Sequence, residues 1–212
     1  MSASSIFRIS GLALIIGALL ASVGYWLRPY VQDISAYSLP VYVPSALLRF
    51  SGALLILSGL PGMYAYQSSR AGKFGLFSYA LTFLGLATLE IGTAAITAFV
   101  VPFLAADPAT QSLVIPPGNF DTQLGAGYMI VFLSGMIAFN LGLILYGIAM
   151  LRARVFPRWA ALMVIVGVPA IFLLSSLPII GDKFAILVFL GLAWCGYAMW
   201  ANRGESKSSS NG

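Results

Sequence analysis

Glu90 is an acid inside an otherwise apolar stretch, "GLATLEIGTAAITA", Gly85–Ala98. A carboxyl in such a setting can hold a proton, bind a cation or a hydrogen-bond donor, or act as a polar strut between helices. Helical spacing puts Ala87, Thr93, Ala94 and Thr97 beside it, a small and partly hydroxylated face that admits a neighbouring helix or a little water. An acid at the centre of a membrane costs on the order of 2.5–3.5 kcal/mol, and burial favours its neutral form. A partner is therefore expected. Asn140, in "GMIAFNLGL", is the favoured one, since its amide can donate to a carboxylate. Arg49 is the second candidate. It reaches inward if its helix starts near Val41, and is a boundary residue, the favoured reading, if the helix starts near Ser45. Glu90 is then either a hydrogen-bonded strut toward Asn140 or a proton- or ligand-binding carboxyl.

Little other chemistry is available. The chain has no histidine and one cysteine, Cys195. His-ligated haem or zinc, Ser-His and Cys-His catalysis, and an intrachain disulfide are thereby excluded. The sequence holds no glycine-rich phosphate loop, no CxxC and no pair of acids in one apolar run. The expectation is a protein that is not an enzyme and carries no metal or cofactor.

The elements that must position Glu90 are set by composition. Of 212 residues, 60% are hydrophobic and 8% are charged, against about 25% charged in a soluble domain. Mean hydropathy is +0.95. Lipid is the solvent such a surface requires, so the bilayer is the first expected partner. Apolar segments at about 7–27, 46–66, 76–102, 126–151, 158–178 and 184–201 each approach the ~20 residues that cross a membrane. They predict an all-α bundle of six transmembrane helices in one domain, 1–201, followed by a disordered cytoplasmic tail, 202–212. The first segment is too long for a signal-peptide core and reads as a retained helix.

Basic residues orient the bundle. With the N-terminus inside, the inner side receives Arg8, Arg70, Lys73, Arg152, Arg154, Arg158, Arg203 and Lys207, and the outer side only Arg28, Arg49 and Lys183. That bias predicts both termini inside. The net charge of +5 is scattered between apolar runs, so nucleic acid is not expected as a partner. Arg70, Lys73, Arg152, Arg154 and Arg158 form an inner basic rim, read as a topology signal or as a contact for anionic headgroups. Tyr25, Trp26 and Tyr30 read as interfacial anchors. Small residues on one side of the first segment (Ala13, Gly17, Ala21, Gly24) and Gly135, Gly142, Gly191 and Gly196 elsewhere predict close helix packing, within the chain or with a membrane-protein partner or second copy. Tyr64–Gly85 also aligns without gaps on Tyr146–Gly167, matching Tyr64/Tyr146, Arg70/Arg152, Ala71/Ala153, Phe74/Phe156 and Gly85/Gly167. Duplication explains this, and so does the small alphabet of membrane sequences.

The stretches "LILYGIAMLRARVFPRWAALMVIVG" (143–167), "SSRAGKFGLFSYALTFLG" (68–85) and "FRISGLALIIGALL" (7–20) resemble segments of an uncharacterised family of bacterial multi-pass membrane proteins. The resemblance implies a place in the bacterial cytoplasmic (inner) membrane and carries over no functional residue. The function expected on these grounds is a structural or partner-binding subunit, with a small transporter or ligand-binding protein using Glu90 and Asn140 as the alternative.

Overall fold

The computed structural model describes residues 3–31, 33–114, 125–174, 177 and 181–201. The tail, 202–212, and residues 115–124 lie outside them. The described residues are helical, with no strand among them. Helix α1 is Ala3–Leu27, α2 is Tyr42–Gly85, α3 is Gly125–Ala153, α4 is Arg158–Leu174 and α5 is Ala185–Ala201. Beyond α2 the helical run continues to Ala106 through two π turns, Leu86–Ile91 and Ile96–Val100, and two short α segments, Gly92–Ala95 and Val101–Ala106. Ser4–Leu27, Tyr42–Ala106 and Ile130–Ala153 are long and apolar enough to cross a membrane; Arg158–Ile171 and Ala185–Ala201 are apolar but shorter. Large apolar side chains such as Leu19, Phe77, Phe103, Ile137 and Leu173 stand exposed on the outside of the bundle, as contact with lipid requires.

The run Tyr42–Ala106 doubles back at Gly72. Its φ of 59° and ψ of −158° fall in a region open essentially to glycine alone. A straight helix would hold Arg49 and Glu90 about 60 Å apart; their side chains are 3.2 Å apart. Tyr64 stacks on Tyr79 at 4.9 Å between ring centroids, and Phe50 meets Phe99 edge-on at 5.7 Å. The residues before Gly72 are the first limb and those after it the second.

Arg154, between α3 and α4, has a φ of 52°, and it and Gly72 are the described residues with positive φ. The repeat alignment sets these two positions opposite each other. Two reversals in register, each preceded by Arg-Ala (Arg70-Ala71, Arg152-Ala153), give the faint repeat a structural counterpart. The Arg154 amide closes the end of α3 on the Met150 carbonyl at 3.1 Å, a common helix C-terminus. Arg152 lies over the Phe74 ring at 5.1 Å, so both reversals sit at one end of the bundle. The five residues of the expected basic rim are all exposed.

The helices close into a ring. The second limb packs on α3, α3 on α4, α4 on α5, α5 on α1, α1 on the first limb, and the first limb on the second. Small residues make these approaches. A Cβ on Gly17 would lie 2.7 Å from the Gly52 carbonyl oxygen, and one on Gly11 2.6 Å from that of Gly196. The glycines singled out in the sequence thus pack against the chain itself. Leu14, Ile56, Leu60, Met63, Leu143, Tyr146 and Val164 fill the middle, all 1% exposed or less. At the end away from the reversals, Asp33 caps the 3-10 turn Ile34–Ser38. Its carboxylate accepts from the hydroxyl and the amide of Ser35 and is held below its ordinary pKa by those bonds. Lys183 donates to the Trp26 carbonyl at 2.6 Å, tying the start of α5 to the end of α1.

Candidate functional site

Three helical pieces bring a polar cluster together at the end of the ring away from the reversals. Glu90, in the first π turn, is buried, as is Arg49 of the first limb. Arg49 Nη2 donates to Glu90 Oε1 at 3.2 Å. The Tyr25 hydroxyl, from α1, donates to Glu90 Oε2 at 2.9 Å and accepts from Arg49 Nη2 at 3.2 Å. The Arg49 guanidinium also lies over the Tyr25 ring, 4.2 Å from its centroid. Each carboxylate oxygen thus has a donor, and the Tyr25 hydroxyl both donates and accepts.

The local sequence explains the placement. Tyr25 lies four residues after Ala21, on the small face of α1 that packs against the first limb. Next to it, Gly24 leaves room for the arginine: a Cβ there would be 2.7 Å from Arg49 Cγ. The first limb starts at Tyr42 rather than near Ser45 because Pro44 fits its first turn, where a missing N–H breaks no intrahelical bond. Arg49 is therefore two turns inside the helix. That corrects its reading as a boundary residue.

Asn140 is not the partner of Glu90. Its Nδ2 donates to the Met136 carbonyl of its own helix at 2.7 Å. Thr93 and Thr97 also bond back along their helix, to the carbonyls of Glu90 and Thr93 at 3.4 and 2.7 Å. Glu90 follows Gly72 by eighteen residues, about 27 Å of helix. The basic rim, at the reversals, is at the opposite end.

What Glu90 and Asn140 share is a cavity of about 220 Å³ inside the ring. Tyr25 of α1, Arg28 just after it, Leu89 and Glu90 of the second limb, Phe132, Met136, Phe139 and Asn140 of α3, Ile171 of α4, and Ala185, Val188 and Phe189 of α5 line it. The walls are mainly apolar, with a few polar groups near one another, as in small-molecule sites. The π turn adds to the pattern, since such turns recur at functional sites. No group of His, Cys, Asp and Glu among the described residues is arranged to hold a metal.

Sequence reasoning missed Tyr25, reading it as an anchor; its place on the small face of α1 was the available signal. It also missed Gln67 and Tyr146, both fully buried polar side chains that face each other.

No protein-family model matches the chain, and no curated protein or solved structure matches it. Function must be argued from the site itself.

Proposed function

We propose that this chain is a non-catalytic multi-pass membrane protein that binds a small, largely apolar molecule in the cavity beside Glu90. One observation carries the reading: a buried carboxylate, held on both oxygens, lines a mostly apolar cavity of about 220 Å³ within the ring. A strut alone needs no cavity. The partner-binding reading is weaker, because the small-residue faces that would have served a partner are occupied by the chain's own helices.

In this proposal the two limbs of the Tyr42–Ala106 run cross separately, giving six crossings with both termini inside. The reversal at Gly72 and the excess of basic residues on one side support it. The resemblance of 7–20, 68–85 and 143–167 to bacterial membrane proteins supports the cytoplasmic membrane as its location.

Met136→Trp, which fills the cavity, supplies the test. Wild type and variant are extracted from their membranes under mild conditions, and bound small molecules are measured by mass spectrometry. A molecule retained by wild type and lost from the variant is expected. Identical small-molecule content in two folded proteins would contradict the reading.

A further inference from the structure

The polar groups of the cavity restrict what can occupy it. Glu90 has about four acceptor positions on its two oxygens, and the structure fills two, with Arg49 and Tyr25. Asn140 has one hydrogen bond, donated by Nδ2 to Met136, which leaves the carbonyl end of its amide as an acceptor. The demand is for donors.

Charge selects among donors. Arg49 and Glu90 cancel, so an ion of either sign would enter a mostly apolar cavity at a desolvation cost. An ammonium would also meet the positive charge of Arg49, behind the carboxylate, while Arg28, on the cavity wall, is already engaged in a contact of its own. A carboxylate or phosphate would bring acceptors to a carboxylate that has acceptors to spare. A neutral hydroxyl satisfies the open positions and adds no charge. The rest of the molecule must be hydrocarbon, because Phe139, Phe189 and their neighbours form the walls.

We propose that the ligand of the Glu90 cavity is a neutral, hydroxyl-bearing hydrocarbon, an alcohol of the membrane, whose hydroxyl donates to Glu90 or Asn140. This rests on the cavity reading above.

The test keeps the chain length constant and varies the head. The full chain in lipid nanodiscs is equilibrated with equal mole fractions of n-decanol, decanoate, decyltrimethylammonium or n-decane, and retention is read by native mass spectrometry. n-Decanol is expected to exceed each of the others by about tenfold, the effect of one or two hydrogen bonds. Asn140→Leu is expected to lower that preference. Its side chain bonds only within its own helix, and the wild-type series stands without it should it fail to fold. Preference for either ion, or decane bound as well as decanol, would overturn the alcohol assignment while leaving the cavity reading intact. Retention of none of the four would overturn both.

Discussion

Arg49 Nη2 and Glu90 Oε1 meet at 3.2 Å across a reversal of the chain, and both side chains are buried. The pair fixes how the two limbs register on each other, with Tyr25 joining it from α1. A buried ion pair adds little net stability when its desolvation is counted, but removing one partner strands the other charge. Arg49→Leu and Glu90→Leu should therefore each cost roughly 3–5 kcal/mol, and the double variant should recover most of that loss. Melting of the four proteins in detergent measures the coupling. Additive losses would mean that the two side chains do not interact.

Gly24 makes room for this arrangement. A methyl group there would press on Arg49 Cγ and on the Ser45 carbonyl oxygen, both 2.7 Å from the added Cβ. Gly24→Ala should cost about 1–3 kcal/mol, as overpacking does. It should cost less in an Arg49→Ala, Glu90→Leu background, where the Cγ it meets is gone. An equal cost in both backgrounds would show that the clash is with the backbone alone.

Gly72 is constrained in another way. Nothing lies within 4 Å of an added Cβ, so there is open space, but its φ of 59° and ψ of −158° exclude other residues. Gly72→Ala should destabilise by about 1–3 kcal/mol through backbone strain. Arg154→Gly, at the equivalent reversal, should be neutral or stabilising, because a left-handed residue at a helix end favours glycine. A lower melting temperature for Gly72→Ala and an unchanged or higher one for Arg154→Gly are expected; equal destabilisation would contradict the strain argument.

Hydrophobic runs marked the all-helical class, since the lipid-facing and buried faces of a membrane bundle are both apolar, but the segments 46–66 and 76–102 fall within one helical run, Tyr42–Ala106. Glu90 and Asn140 stood out as polar residues in apolar runs, but the cavity between them was not legible. Nor was it legible who bonds to whom. The choice of Asn140 over Arg49 turned on a helix start displaced by one turn, where Pro44 reads as a boundary but is tolerated inside the first turn. Asn140 was drawn instead to a carbonyl of its own helix, a local contact that competes with any distant partner. Tyr25 was hidden by its residue type, which is as common at membrane interfaces as in polar clusters.

Glu90 meets Arg49 and Tyr25 as a carboxylate, one half of a buried ion pair. Infrared spectra of the reconstituted protein at neutral pH, wild type minus Glu90→Gln, test this directly. The variant is expected to lose a carboxylate stretching band and no protonated-carboxyl band. Loss of a protonated-carboxyl band in the variant would contradict it.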